Sequence, residues 1–530
     1  MSSIAIASCL CPCAYLAVGL LSTDWVNPRA RLMRRLVQAA SLLVVGAAGL
    51  CLVAVATSGS AEATLFRANA GIELTFGVLV DPLSATLLVL LSGLGWVVTR
   101  FAATYLAGEP TQGRFLKWMC LTLAALLTLV LSSDVLMLAV AWGLVSLSFQ
   151  RLLTHYRERP SATNAARKWI LINRLGDVAL VAALVLCGWT FGTLEFNSIT
   201  REVATLAATP NGAFALSGIG FLFALAVVIK SAQFPLHSWL PDMIDTPTPV
   251  LALLHAGVLN AGGVLLLRLS PLMIYSVWGM DLLALTGTVT AIIGAVVMLT
   301  QTSVKKSLSY STISQMGFLL LLCGIGAFPV ALLHLVAHSC YKAHAILAGG
   351  SVLEAAAARR LHIPTFSISH ACRLAISAIA ALIITVAVPF LLNVALLSRP
   401  GAVVLQVVLF FAITQLIFRL GQVRNRVCPP LAIVTGLAVG LATWGLTLLA
   451  DRWLGDSVNW LAREPGLHDF ILIAIVSAGF AGVFGLQQML ETPGGRNRLS
   501  SLYVHAYRGF YLDLPLQRLV ARVWKTQPTT

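Results

Sequence analysis

Charge is what this sequence has least of. Of 530 residues only 10% are Asp, Glu, Lys or Arg, against 58% hydrophobic, and the mean hydropathy is +0.89. Soluble chains carry about 25% charged residues, so a soluble globular enzyme is excluded. The period-two alternation of a membrane β-barrel is missing as well. Helices are then the spanning element left, because a bilayer core offers no water to satisfy an open backbone. Long polar intervals are also lacking. The largest, 58–79, 191–213, 351–370 and 451–467, have the size of connections and not of soluble domains.

What is present is a series of apolar runs, each about 20 residues long and sufficient to cross a hydrocarbon core of ~30 Å. Roughly 15 recur, near 4–22, 36–57, 80–106, 115–132, 134–153, 168–190, 214–240, 250–269, 280–302, 309–327, 329–350, 371–396, 402–420, 430–450 and 468–487. The first has no basic n-region or clear small-residue cleavage site and reads as a retained span. The expected fold is an all-α polytopic membrane protein. The net charge of +15 is distributed by topology. Basic residues fill alternate loops: Arg29 to Arg35, Arg114 and Lys117, Arg151 to Lys168, Lys305 and Lys306, Arg359 and Arg360, Arg424 and Arg426, and the tail from Arg496. Glu62, Glu73, Asp134, Glu195, Glu202, Asp451 and Asp456 lie in the intervening loops. The positive-inside rule then puts the N-terminus outside and the C-terminus in the cytoplasm. Residues 496–527 mix leucines, arginines and Tyr503, Tyr507, Phe510, Tyr511 and Trp524, the pattern of an amphipathic helix on the membrane surface. Cys9, Cys11 and Cys13 cluster in an apolar run without a histidine nearby and read as small hydrophobes.

Ionisable groups inside apolar runs cost about 2.5–3.5 kcal/mol each on insertion scales and so need a reason. Lys230 closes the run Phe221–Ile229, and Pro235 follows five residues later, where the missing N–H and the ring clash break a helix. A lysine at a helix break suits proton carriage; a lysine snorkelling to the interface is the plainer reading. His255 stands alone in the next run. His334, His338 and Lys342 are spaced i, i+4, i+8, so they stack on one face and form a row of titratable groups. Zinc at the His334/His338 pair is the rival use, but no carboxylate or cysteine is well placed to complete a site, so no metal is expected here. Arg174 and Asp177, at i, i+3, can pair and either tune Lys230 or join two helices.

These residues sit in longer strings. Lys230-Ser-Ala-Gln-Phe-Pro-Leu-His-Ser-Trp-Leu-Pro-Asp, Thr246-Pro-Thr-Pro-Val with Leu254-His-Ala-Gly, Gln301 to Gly317, and His334-Leu-Val-Ala-His-Ser-Cys-Tyr-Lys-Ala resemble the antiporter-like subunits of respiratory complex I and Mrp-type antiporters. Asn173-Arg-Leu-Gly-Asp and Val80-Asp-Pro-Leu-Ser fit the same family. The resemblance implies two inverted five-helix repeats with broken helices, here 115–270 and 280–420, between N-terminal helices in 1–110 and C-terminal helices in 430–490. It also implies a proton path through Lys230, His255, Lys305, His334, His338 and Lys342, supported by Arg174 and Asp177. Two departures stand out. Trp142 is followed by Gly143 where those subunits carry a glutamate, and 374–398 holds no charged side chain.

Trp142 to Lys168, and Leu502 to Asp513, instead resemble DabB-type membrane subunits of bacterial inorganic-carbon accumulation complexes. That resemblance implies a multi-pass protein of the bacterial inner membrane with a DabA-like cytoplasmic partner. The partner would hold zinc in a carbonic-anhydrase-like site, with no cofactor in this chain. Ion flow, H+ in preference to Na+, would then energise conversion of CO2 to bicarbonate on that partner. The alternatives are a pump subunit of a complex I or hydrogenase-type redox enzyme, and a subunit of a cation/proton antiporter.

Overall fold

A computed structural model describes residues 3–69, 73–156, 158–349, 370–394, 399–423, 429–458, 467–490 and 498–524. Arg157, Arg359, Arg360, Arg424, Arg426 and Arg496 lie outside the described residues, as does nearly all of the 351–370 connection. Among those described, thirteen helices are long and apolar enough to cross a membrane. Val304–Gly324, hydroxyl-rich in its first half, and the apolar helical stretch Ile4–Gly19 add to them. The chain is a polytopic helical membrane protein.

Five long helical segments overlap each block expected to be a repeat. The first holds Gln112–Leu131, Val135–Leu153, Pro160–Phe191, Pro210–Lys230 and the interrupted Thr248–Arg268. The second holds Val277–Thr300, Val304–Gly324, Phe328–Leu347, His370–Leu391 and Pro400–Val423. Without a hydrophobic driving force inside lipid, helices associate through close packing at small residues. Gly287 and Gly317 show this between the first two helices of the second block. A Cβ on Gly287 would lie 2.5 Å from the Leu321 nitrogen, and one on Gly317 would lie 2.6 Å from the Ala291 nitrogen. That contact fixes the helix whose Ser311 and Thr312 meet the buried lysine and histidine described below.

Two intervals read as plain connections are structured. Within 58–79 lies an antiparallel hairpin, Ala61–Asn69 with Glu73–Val80, pairing Ala61 with Val80. Its second strand is rich in β-branched and aromatic residues, Thr-Phe-Gly-Val-Leu-Val, which favour a pleated half-buried surface. Within 191–213 lies the helix Phe196–Ala207, burying Phe196, Ile199 and Val203 on one face. The hairpin leads into Asp81, whose carboxylate caps the helix Pro82–Tyr105 through the Ser84 amide and accepts from Arg268 Nη1 at 2.6 Å. Both partners of that pair are buried, so it clamps the hairpin end of the bundle.

At the opposite end the amphipathic character of the tail resides in Leu514–Trp524, preceded by the short helix Ser500–Tyr507. Gly509, Phe510 and Tyr511 between them all have φ near +60°, a left-handed turn that redirects the chain. Tyr503 Oη donates to the Thr300 carbonyl at 3.3 Å, and Gln301 Nε2 donates to the Tyr507 carbonyl at 3.3 Å. The tail is therefore docked where Val277–Thr300 ends.

Candidate functional site: two buried cationic centres

The first centre forms where the helix Pro210–Lys230 stops. Residues 231–240 are turns, with Pro235 inside them. Lys230 is 4% exposed, and its ammonium has two neighbours. Its Nζ contacts the Asp177 carboxylate and lies 4.3 Å from the centroid of the Trp142 ring. Asp177 also accepts from Arg174 Nη2 at 3.0 Å, so one carboxylate bridges a buried lysine and an exposed arginine. Gly176 makes room for the lysine stem, since a Cβ there would lie 2.3 Å from Lys230 Cγ.

The second centre is the row on Phe328–Leu347. His334 and His338 stack with ring centroids 6.0 Å apart, one turn from each other. His334 Nε2 meets the Gln315 carbonyl at 3.1 Å, and neither ring nitrogen of the buried His338 has a protein partner among the described residues. Lys342 is fully buried and donates to Ser311 Oγ at 2.6 Å, a neutral acceptor. His255 comes from the other block, just before the span Thr248–Arg268 breaks at Gly257–Asn260. Its Nδ1 lies 2.9 Å from Thr312 Oγ1, and it is within electrostatic reach of His338 and Lys342. Asn260, inside the break, donates to Ser339 Oγ at 2.7 Å and ties the two elements together.

The structure thus gathers Lys230, Asp177 and Arg174 at one centre, and His255, His334, His338 and Lys342 at the other. Lys305 joins neither. It is exposed at the edge of the bundle and donates to the Ile244 carbonyl at 3.0 Å. Sequence reasoning passed over Trp142 as a partner of Lys230, and over Ser311 and Thr312 as partners of Lys342 and His255. It also passed over Lys168, whose buried ammonium lies 2.6 Å from carboxylate oxygens of both Asp242 and Asp513. No local spacing signals contacts across 74 or 345 residues. A chain of neutral imidazoles, hydroxyls and lysines free to exchange protons can carry charge through a bundle without moving a side chain far.

The chain is similar to known membrane subunits. Residues 132–419 match the family described as NADH:quinone oxidoreductase/Mrp antiporter, TM, and residues 67–116 match the complex I chain 5 N-terminus. The probable inorganic carbon transporter subunit DabB2 of Halothiobacillus neapolitanus is 33% identical over 456 residues, which cover 85% of this chain and 81% of that protein. The corresponding DabB of Hydrogenovibrio crunogenus is 40% identical over 284 residues, 53% of this chain and 54% of that one. Chloroplast NAD(P)H-quinone oxidoreductase subunit 5 of Zea mays is 38% identical over 289 residues, 54% of this chain and 39% of its own. Against those two, the matched part is about half or less of the relative's length. Among solved structures, the Mrp complex from a Dietzia species superposes with a TM-score of 0.68 at 24% identity, covering 99% of this chain and 60% of that one. The archaeal membrane-bound sulfane sulfur reductase gives 0.55 at 16% identity, covering 95% and 99%. Both share the fold.

Proposed function

The chain belongs to the NADH:quinone oxidoreductase/Mrp antiporter family and, within it, to the DabB inorganic-carbon transporter subunits, and from that premise we propose that it conducts protons to energise uptake of inorganic carbon by a separate catalytic partner. Translocation of an ion by a membrane subunit is common to the family; the identity of the ion and the coupling are the proposal. The observation that carries it is Lys342, fully buried beside a row of histidines and held by a neutral hydroxyl instead of a carboxylate. A buried cation held by a neutral hydroxyl can lose and regain its proton without leaving a carboxylate unpaired. Lys230 at the helix end supplies the second exchangeable site, with Asp177 and Arg174 setting its field.

In this reading the protein lies in the bacterial inner membrane with its N-terminus periplasmic and its tail cytoplasmic. The partner is a DabA-like cytoplasmic zinc protein on which CO2 becomes bicarbonate, and this chain contributes the ion gradient's energy. Lys305, at the cytoplasmic edge, serves as a surface group near the path. The test is purification of the tagged chain in mild detergent, paired with growth at ambient CO2. Recovery of a large soluble zinc protein, together with loss of growth in Lys230→Ala and Lys342→Ala at normal protein levels, is the expected result. Recovery of quinone-reducing or hydrogenase subunits instead would make the chain a redox-driven pump.

A further inference from the structure

A third cluster of titratable side chains lies outside both centres, where the C-terminal tail meets the first block. Lys168, 3% exposed, stands between the carboxylates of Asp242 and Asp513, 2.6 Å from each. The two carboxylates are 39% and 29% exposed, so water reaches them while the lysine that holds them is enclosed. Tyr310 and His237 are within electrostatic reach of Asp513, and Lys306 is within reach of Asp242. Asp513 follows the left-handed turn at Gly509–Tyr511, and its carboxylate also accepts from Gln517 Nε2.

Between this cluster and Lys230 runs the turn segment 231–240. His237 is 1% exposed, stacks on Phe234 at 3.7 Å and lies 6.0 Å from the Tyr310 ring. Its Nδ1 has no protein partner among the described residues, and the same holds for Gln233 Oε1 and Ser238 Oγ. Buried polar atoms of this kind are satisfied by ordered water. Lys168 and Asp177 are nine residues apart on one helix, an axial rise of about 13 Å. One imidazole and a few waters span such a gap.

We propose that Asp242 and Asp513, positioned by Lys168, form the cytoplasmic mouth of this chain's proton path, and that His237 passes the proton from Lys230 to it. The C-terminal tail thereby supplies a side chain of the conduction path. A proton arriving from Lys230 adds to one ring nitrogen of neutral His237. The other ring nitrogen releases its proton to one carboxylate, which gives it to bulk water, so the imidazole returns to neutral and the carboxylate to its anion. This rests on the proton-conduction reading above and extends it to residues outside the two centres.

The experiment is proton flux into proteoliposomes containing the full chain with its co-purified partner, driven by a potassium diffusion potential. Tryptic cleavage at Arg508 reports whether the tail stays docked. Asp513→Asn is expected to keep the tail protected and to lower flux at least tenfold, with Asp513→Glu recovering most of it. His237→Gln, far from the tail backbone, is expected to lower flux as much with the tail docked. Wild-type flux in Asp513→Asn with a docked tail, or in His237→Gln, overturns the cytoplasmic mouth. If Asp513→Asn frees the tail, a chain ending at Leu499 decides: normal flux in it overturns the proposal, and loss of flux together with loss in His237→Gln supports it. Absence of flux in the wild type overturns the conduction reading itself. Flux lost in Lys230→Ala but kept in Asp513→Asn and His237→Gln removes the cytoplasmic mouth alone.

Discussion

The ammonium of Lys230 lies 4.3 Å from the centre of the Trp142 ring and takes its single carboxylate contact, among the described residues, from Asp177. Gly143 follows that tryptophan, where the complex I subunits place a glutamate, so the charge balance of the centre falls on Asp177. A desolvated cation–π contact is worth about 2 kcal/mol. Stripping one partner from a buried pair costs about 3–5 kcal/mol. The ring therefore cannot replace the carboxylate. Asp177→Asn is expected to lower stability in detergent by about 3 kcal/mol, the lower end because Asp177 is a quarter exposed, and to reduce ion flux more than tenfold. Unchanged melting and flux would show that Lys230 does not need the Asp177 carboxylate.

Gly176 is expected to be intolerant for a reason specific to the site. A Cβ there would lie 2.3 Å from Lys230 Cγ and 2.8 Å from Cδ, and the stem it meets is enclosed. Gly176→Ala must push the lysine off Asp177 or part the two helices. Overpacking of this kind costs about 1–3 kcal/mol, so the chain should still fold while flux falls by an order of magnitude or more. Pairing it with Gly143→Ala, where nothing lies within 4 Å, separates a local clash from a general loss of glycine. Equal flux in the two variants would contradict the packing argument.

Sequence periodicity was enough to read the bundle, the break after Lys230 and the stacking of His334, His338 and Lys342, because each is a property of one helix and its own spacing. It was not enough for what tertiary contact decides. The hairpin 61–80 looked like a polar connection, since strand pairing depends on a partner strand and not on composition alone. Lys305 belongs to a string shared with the family, yet its helix turns it to the edge against Ile244. Lys168 looked like one more basic loop residue. Only the fold brings Asp242 and, from the far end of the chain, Asp513 onto it.

Acid should loosen a tie on the same end of the bundle. The Glu109 carboxylate accepts from Tyr156 at 3.1 Å and from Thr111 at 3.2 Å, and it pairs with His155 Nε2 at 3.0 Å. Burial holds His155 below its usual 6.5; the Glu109 carboxylate opposes this and Arg114 adds to it. The folded chain then binds fewer protons here than the unfolded one. The contribution is complete above about 6.5 and is lost as pH falls through the lower folded value. Hydrogen exchange at 106–112 and 154–156 should quicken from about pH 7.5 to about pH 5, beyond the intrinsic trend, and His155→Gln should remove the excess. Protection that is flat with pH in the wild type would rule the tie out as acid-sensitive.

The remaining prediction separates the two partners of the second centre. Lys342 donates to Ser311 Oγ at 2.6 Å, and His255 meets Thr312, the next residue on the same helix. If Lys342 carries the proton, its removal ends the path and no neighbour can stand in, because His338 offers its ring without a second amine. Lys342→Ala should abolish flux. Ser311→Ala removes the neutral acceptor of one hydrogen bond from a charged donor, worth about 1.5 kcal/mol at the low end, and should slow flux about tenfold without ending it. Thr312→Val, which keeps the shape and deletes the hydroxyl that orients His255, should fall between the two. Flux measured in proteoliposomes at matched protein levels gives the order. A Ser311→Ala chain as inactive as Lys342→Ala would mean that the hydroxyl itself is a proton carrier, and that the lysine is its support.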